Sequence, residues 1–303
     1  MFHIQKRTNK QQGVNMVKQY GSHRIYKQEL NFLNDTRDIK YKLNTNILVQ
    51  GDSWFDYPGR NANFMKGPSN LFDALLETIS LGCNWFDTAV IGATTEQILK
   101  ETDLLKLFKA RHTKLDLYLL SAGGNDIFEG LEIMLNNYID VPNPDENLSL
   151  CFNDGLSIAL SNIVNFYSEV IANRDLYFPK LPILAHDYAP PTARVRPFAL
   201  FKRYIKGPWV NKALTNKGYP AKTDSNLRNR LIRYLHSQLT ETLQALFRKH
   251  EKCHLYSATL RGIDLGSKVY WDDEIHLTPK GNRVIAKDML VFMKDEGIYP
   301  SRK

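Results

Sequence analysis

The sequence has few cysteines and lacks long apolar runs. Cys83, Cys151 and Cys253 are an odd number without the spacing of a zinc site. We therefore predict reduced thiols in a core, not a disulfide framework or a metal centre. No stretch reaches the roughly 18 apolar residues of a membrane span, and residues 1–20 hold no apolar run of signal-peptide length. These absences lead us to expect a soluble, cytoplasmic protein.

Positive charge is in excess but unevenly distributed. The 303 residues carry a net charge of +8. Residues 1–42 hold nine lysines and arginines against three acidic residues, and residues 192–233 hold eleven against Asp224 alone. Such segments attract phosphate groups, although solvated loops and helix faces are the simpler explanation. Because no nucleic-acid-binding motif accompanies them, we expect no nucleic-acid partner and keep an anionic surface as an open alternative.

Apolar segments alternate with helical patterns from residue 45 onward. Segments typical of strands lie at 46–50, 84–92, 115–121, 181–187 and 253–258. Helical patterns lie at about 69–82, 95–109, 127–137, 153–173 and 224–249, and a last one begins near Pro279. This alternation predicts the α/β class, with a parallel sheet covered by helices on both faces. Ligands of such sheets bind at the carboxyl ends of the strands.

Chemically useful residues lie at those strand ends. The first strand ends at Gly51-Asp52-Ser53, and near the C terminus Asp273 precedes His276 by three residues. A serine hydroxyl becomes an effective nucleophile when a histidine accepts its proton, and the histidine needs an acidic partner that orients it. We therefore predict Ser53 as the nucleophile, His276 as the base and Asp273 as the partner of His276.

An acyl-transfer intermediate also needs hydrogen-bond donors for its oxyanion. The second strand ends at Gly92, and the third ends in a Gly-Gly-Asn-Asp stretch that contains Asn125. The candidate donors are the backbone N–H groups of Ser53 and Gly92 and the side-chain amide of Asn125. The sequence therefore predicts an oxyanion hole built from three strand ends.

Three other aspartates need an explanation. Asp272 competes with Asp273 for His276, although the three-residue spacing favours Asp273. Asp52 is better explained as a structural acceptor than as a catalytic acid. Asp126 is expected to cap the helix that follows it.

These blocks resemble those of the SGNH/GDSL hydrolase superfamily. The matching residues, in order, are Gly51-Asp52-Ser53, Gly92, Gly123-x-Asn125-Asp126 and Asp273-x-x-His276. The resemblance covers roughly residues 45–295. It implies a flavodoxin-like three-layer α/β/α sandwich with a five-stranded parallel sheet, and ester hydrolysis without a metal or another cofactor. The residue after the serine departs from the family pattern, because Trp54 stands where leucine is common.

Substrate-binding residues are harder to assign. Trp54 follows the predicted nucleophile and His186 ends the fourth strand, so both are candidates for substrate binding. A hydrogen-bonded loop histidine would explain His186 equally well. Four aromatic residues either line an acyl pocket or belong to the core: Trp54, Phe55, Tyr57 and Trp209.

The sequence supports one main domain and one main function. We divide the chain into a basic N-terminal extension, residues 1–44, and a hydrolase domain, residues 45–303. Residues 188–223 are too long for a plain connector and are predicted to form a cap that affects substrate choice. We expect hydrolysis of a small-molecule or lipid carboxylic ester through an acyl-enzyme. A carbohydrate O-deacetylase and a non-catalytic module that contacts anionic surfaces or nucleic acid remain the alternatives.

Overall fold

The computed structural model describes residues 23–26, 45–57, 67–79, 82–100, 103–193, 198–200, 203–221 and 226–300. The strands are β1 (His23–Tyr26), β2 (Thr45–Gly51), β3 (Cys83–Asp87), β4 (Leu117–Ser121), β5 (Ile183–His186), β6 (Phe198–Leu200), β7 (Arg203–Lys206) and β8 (Cys253–Tyr256). Six of them form a parallel sheet in the order β1-β3-β2-β4-β5-β8. Strands β6 and β7 form a separate antiparallel ribbon.

The α/β class and the parallel sheet are confirmed, but the predicted number of five strands is wrong. The additional strand is β1, which pairs with β3 at the edge of the sheet. Arg24 of β1 donates to the Asp87 carboxylate (2.6 and 2.9 Å) and forms an ion pair with Asp73 (3.0 Å). The other five strands follow the flavodoxin-like order. The assignment of residues 1–44 as a separate extension stays a prediction.

Helices connect the strands. They are α1 (Leu71–Thr78), α2 (Thr95–Leu99), α3 (Asp103–Ala110), α4 (Gly124–Phe128), α5 (Leu131–Met134), α6 (Asp154–Tyr177), α7 (Val210–Asn216), α8 (Leu227–Phe247) and α9 (Pro279–Asp295). The predicted helices at 95–109 and 127–137 are each divided in two. Asp126 is not the N-cap of α4, because Gly123, with φ +105°, holds that position. Among the described residues, no helix combines the length and apolar character needed to cross a membrane.

The central strands are buried on both faces. Every residue of β2, β3, β4 and β5 is buried, as continuous apolar runs in a covered parallel sheet predict. Helix α1 packs against α9, and α6 packs against α8. Full burial of a leucine such as Leu48 or Leu119 stabilises the fold by about 1.5–3 kcal/mol. This core holds the strand ends, and therefore the predicted site, in fixed positions.

The connection between β5 and α8 contains the ribbon β6–β7 and helix α7. The Tyr138 N–H donates to the Lys217 carbonyl at the end of α7 (2.8 Å). In α8, Arg228 donates through Nη1 to Oδ1 of Asn211, near the start of α7 (2.5 Å). Helix α7 is thus attached to the body at both ends. The role of residues 188–223 as a cap stays a prediction.

Candidate active site

Ser53 lies in a tight turn at the carboxyl end of β2. The Asp52 carbonyl accepts hydrogen bonds from the N–H groups of Phe55 and Asp56 (both 3.0 Å), which closes the turn. Gly51 lies so close to β4 that a Cβ atom there would be 2.5 Å from the Ser121 carbonyl oxygen. A glycine at this position therefore lets the chain pass β4 and enter the turn that presents Ser53.

Asp52 joins three strand ends. Its carboxylate accepts hydrogen bonds from the Trp54 N–H (3.0 Å), the Ser121 hydroxyl (2.7 Å) and the Tyr188 hydroxyl (2.6 Å). Burial raises the pKa of Asp52 to about 6, although the hydrogen bonds from Tyr188, Ser121 and Trp54 act in the opposite direction. These contacts agree with the structural interpretation of Asp52.

Ser53, His276 and Asp273 form one hydrogen-bonded chain. The Ser53 Oγ atom lies 2.8 Å from Nε2 of His276, and Nδ1 of His276 lies 2.8 Å from Oδ2 of Asp273. The other Asp273 oxygen accepts the N–H groups of Ile275 (2.9 Å) and His276 (2.8 Å). All three side chains are buried. The structure thus brings together the predicted nucleophile, base and acid, and places Asp273 at Nδ1 of His276.

The surroundings keep Asp273 ionised. Burial favours the neutral carboxyl, but the nearby His276 and the hydrogen bonds from His276 and Ile275 outweigh burial and lower the pKa of Asp273. A carboxylate at Nδ1 of a histidine orients the imidazole and can stabilise an imidazolium.

A short hairpin presents His276. Trp271 and Leu277 form an antiparallel bridge, and the Asp272 N–H donates to the His276 carbonyl (2.8 Å). The buried Trp271 indole N–H donates to the Leu265 carbonyl (2.7 Å), which anchors the start of the hairpin. The position of His276 is therefore set by backbone pairing as well as by Asp273.

Gly92 lies in the loop before α2, and Asn125 lies beside that loop in the first turn of α4. The Asn125 amide donates to the Ala93 carbonyl (2.9 Å), and Gly92 has a φ of +75°, a conformation that favours glycine. Among the hydrogen bonds of the described residues, none is donated by the backbone N–H of Ser53 or Gly92. The Asn125 amide carries a second hydrogen that Ala93 does not use. These three groups are therefore available to an oxyanion.

Hydrogen bonds on both sides fix the Gly92 loop. The Val90 N–H donates to the Gly51 carbonyl (2.9 Å), which ties the loop to the end of β2. The Asp126 carboxylate accepts the N–H (3.0 Å) and the hydroxyl (2.7 Å) of Thr95, which ties it to α4. Asp126 thus joins the first turn of α4 to the start of α2 instead of capping its own helix.

The two predicted substrate-binding residues contact each other. The Trp54 ring lies 5.3 Å from the His186 ring. His186 is buried, its Nδ1 accepts the Tyr188 N–H (3.2 Å), and burial lowers the pKa of His186 to about 3. A recess of about 10 Å³ is lined by Ser53, Trp54, Tyr57, Ser69, Asn70, His276, Leu277 and Asn282. Trp54 therefore lies beside the nucleophile and His186 packs against Trp54, while their roles in substrate binding stay predictions.

Sequence reasoning missed the contacts of Tyr57. Its ring stacks on His276, with centroids 3.9 Å apart and planes at 11°. Its hydroxyl lies 2.9 Å from Oδ2 of Asp272 and 3.1 Å from Oδ2 of Asp273. The spacing of four residues from Ser53 was the available signal, but it did not distinguish a pocket wall from a partner of His276.

Sequence reasoning also missed Glu274. This buried carboxylate accepts the N–H groups of Val210 (3.0 Å) and Asn211 (2.8 Å) at the start of α7. Trp209 lies directly before α7. Its ring and the His276 ring pack edge to face, with their centroids 6.0 Å apart. The signal was a third consecutive acidic residue between apolar neighbours, which implies specific donors for each carboxylate.

A larger cavity lies away from this chemistry. It measures about 890 Å³ and lies between residues 190–193, the start of α8 and residues 259–268. None of the predicted catalytic residues lines it. Among the described residues, no group of three or more His, Cys, Asp or Glu side chains is arranged to hold a metal ion.

A search of solved structures finds proteins with a similar fold. The lipase Lip_vut3 from a goat rumen metagenome is 16% identical, with 85% of this chain and 99% of that chain covered and a TM-score of 0.51. A family 3 carbohydrate esterase from Clostridium thermocellum is 14% identical, with 84% and 96% covered and a TM-score of 0.48. An extracellular lipase from Streptomyces rimosus is 16% identical, with 80% and 99% covered and a TM-score of 0.48.

Comparisons of the sequence add no relative. No family model and no curated protein matches it. The similarity is therefore one of structure, and it shows that the chain shares its fold with the lipase Lip_vut3.

Proposed function

We propose that this chain is a serine hydrolase of the SGNH/GDSL type that cleaves a carboxylic ester through an acyl-enzyme on Ser53. The observation that carries the proposal is the continuous chain from Ser53 Oγ through His276 to the Asp273 carboxylate, with 2.8 Å at each step. Side chains 223 positions apart meet here in hydrogen-bond geometry at the strand ends where parallel sheets bind ligands.

The first half of the reaction forms the acyl-enzyme. Ser53 Oγ attacks the ester carbonyl carbon while its proton moves to Nε2 of His276, and the carbonyl π electrons move to the oxygen. The N–H groups of Ser53 and Gly92 and the amide of Asn125 donate to that oxyanion. The intermediate collapses, the alkoxy leaving group takes the proton from His276, and an alcohol departs.

The second half releases the acid. Water gives a proton to His276 and attacks the acyl carbon, which forms a second oxyanion in the same hole. Collapse breaks the bond to Ser53 Oγ, and His276 returns the proton to that oxygen. Throughout, Asp273 keeps its negative charge and stabilises the transient imidazolium.

A fluorophosphonate probe tests the nucleophile directly. We expect labelling of the wild type and none of Ser53→Ala. Ser237→Ala is the matched control, because the Ser237 hydroxyl donates to the Tyr234 carbonyl within α8 (2.8 Å). Failure of a folded wild type to react would support the alternative of a non-catalytic binding module.

The size of the recess beside Ser53 favours a second candidate, a carbohydrate O-deacetylase. A volume of about 10 Å³ is close to that of one water molecule, so a long acyl chain would require the recess to open. A series of p-nitrophenyl esters from acetate to decanoate, together with acetylated sugars, separates the candidates. Preference for acetyl groups on sugars supports the deacetylase, and rising kcat/KM with chain length supports a lipase-like enzyme.

The basic segment 192–233 is a further part of the proposal. Two of its cations already have partners, since Arg228 donates to the Tyr219 carbonyl (3.1 Å) and Arg230 pairs with Asp145 (3.1 Å). Lys212 is exposed on α7, next to the residues that contact Glu274. We expect such cations to attract anionic esters or surfaces, so that kcat/KM for an anionic ester falls with salt more steeply than for a neutral one. Parallel salt profiles would contradict this role.

A further inference from the structure

Two aromatic side chains contact the imidazole of His276. The Tyr57 ring covers one face at 3.9 Å with nearly parallel planes, and a Trp209 ring meets the imidazole at 77° from 6.0 Å. Tyr57 is itself buried and lies in the chain segment that leaves the Ser53 turn. Rotation of His276 out of line with Ser53 would therefore lose the stacking contact.

The Tyr57 hydroxyl has one proton to donate and lies near two carboxylates. Its oxygen is 2.9 Å from Asp272 and 3.1 Å from Asp273, and the same Asp273 oxygen accepts Nδ1 of His276. Burial, with the two carboxylates, raises the pKa of Tyr57 far above its ordinary value, so the hydroxyl stays protonated. A phenol has a single O–H, and its proton is therefore shared or exchanged between Asp272 and Asp273.

We propose that Tyr57 is a positioning residue, which holds the plane of His276 by stacking and moderates the negative charge on Asp273 through its hydroxyl. This inference rests on the proposed hydrolytic function, because it assigns Tyr57 a role in the same site. A hydrogen bond donated to Asp273 disperses the charge of that carboxylate and makes it a weaker partner for the imidazolium.

Several carboxyl groups set the field at His276. Asp272, Asp273 and Glu274 belong to its own loop, and Asp52 faces it from the end of β2. The two aromatic rings contribute no net charge. Because the Tyr57 hydroxyl is the donor shared by Asp272 and Asp273, its removal changes the balance of this field while leaving the ring in place.

The test is the pH profile of kcat/KM for p-nitrophenyl acetate. Tyr57→Phe keeps the stacked ring and removes the donor, so we expect the acidic limb to move to higher pH by about 0.5–1 unit. Asp272→Asn removes a negative charge and leaves the hydroxyl to Asp273, so the same limb should move to lower pH. Tyr57→Leu removes the stacking ring and should lower kcat roughly 10–100-fold with a smaller change in KM.

Tyr256→Phe is the matched control. Tyr256 is also buried, and its hydroxyl also donates to a carboxylate, Asp288 (2.9 Å), but Asp288 pairs with Arg261 and not with His276. A merely structural loss of a buried hydroxyl would lower stability in both Phe variants. Only Tyr57→Phe should move the acidic limb.

The outcomes separate this inference from the proposed function. If the wild type shows no Ser53-dependent hydrolysis, the proposed function fails. If the wild type is active and the Tyr57→Phe profile coincides with it, or moves to lower pH, the positioning role is refuted. Far-UV circular dichroism verifies folding. Should Tyr57→Phe not fold, 3-fluorotyrosine at position 57 decides, because it keeps the ring and its more acidic hydroxyl is a stronger donor: a shift of the limb to lower pH supports the role, and an unchanged or higher limb overturns it.

Discussion

Replacing Asp273 by asparagine tests the geometry of the site most severely. One carboxylate oxygen accepts Nδ1 of His276, and the other accepts the N–H groups of Ile275 and His276. An asparagine has one acceptor oxygen, and these two backbone donors would hold it on their side. Its NH₂ group would then face Nδ1, so the neutral imidazole would carry its proton on Nε2. In that tautomer His276 cannot accept the proton of Ser53.

The size of the loss follows from the distance. A unit charge 2.8 Å from the imidazolium contributes about 6 kcal/mol at an effective dielectric constant near 20. Each 1.36 kcal/mol is a factor of ten in rate, so kcat should fall by roughly 10⁴. Asp273 is fully buried, and added salt should therefore restore little of the rate. Residual hydrolysis above the uncatalysed rate would come from the oxyanion hole and substrate binding.

Steady-state hydrolysis of p-nitrophenyl acetate at pH 7–8 gives the measurement, with the rate of fluorophosphonate labelling as a second readout. Asp288→Asn is the matched control. Asp288 lies in α9, where it accepts hydrogen bonds from Tyr256 and Arg261 and contacts no predicted catalytic residue. We expect its kcat within a few-fold of the wild type. An Asp273→Asn enzyme within tenfold of the wild type would show that the acid of the site is misassigned.

Three further substitutions test neighbouring parts of the structure. Asn125→Ala should lower kcat about 10²–10³-fold with a smaller change in KM, since it removes an oxyanion donor; a loss below tenfold would exclude that role. Glu274→Gln places an NH₂ group where a carboxylate oxygen accepts an N–H group of α7, so one hydrogen bond is lost and protease cleavage within 207–221 should increase. An unchanged cleavage pattern would refute the anchoring role. Because burial raises the pKa of Asp52 to about 6, folded Asp52 binds a proton more tightly than the unfolded chain does. Its contribution to stability is therefore present below about pH 4 and lost as the pH rises through 6. Relative to Asp52→Asn, the wild type should lose up to about 3 kcal/mol of unfolding free energy, measured by urea titration; a constant difference would contradict the raised pKa.

The strand ends made part of the site predictable. A buried apolar run that stops at a glycine marks the end of a parallel strand, and parallel strands gather their carboxyl ends along one edge. Ser53 follows this rule closely, because β2 ends two positions before it, and Asn125 lies four positions beyond the end of β4. Gly92 lies five positions beyond the end of β3, yet hydrogen bonds on either side return its loop to the same edge. Local pattern and fold topology suffice for these residues.

Contacts between distant segments could not be predicted in this way. Strand β1 has four residues within a polar segment, and its link to the sheet through Arg24 and Asp87 spans 63 positions. Glu274 and the start of α7 are similarly distant, with 64 positions between Glu274 and Val210. Periodicity reports which face of an element is buried, but not which donor will meet a given carboxylate. These pairings therefore required the three-dimensional structure.

Three consecutive acidic residues before His276 connect the proposed site to neighbouring segments. They are Asp272, Asp273 and Glu274. A buried carboxylate without donors costs several kcal/mol, so each of the three needs its own partner. Asp272 has the Tyr57 hydroxyl, Asp273 has His276 and two backbone N–H groups, and Glu274 has the first N–H groups of α7. One short loop thus contacts the segment after Ser53, the proposed base His276 and the start of α7. Displacing α7 would leave Glu274 exposed or without these donors, one residue from the proposed catalytic acid. We therefore expect substitutions that loosen α7 to lower kcat as well as alter substrate choice.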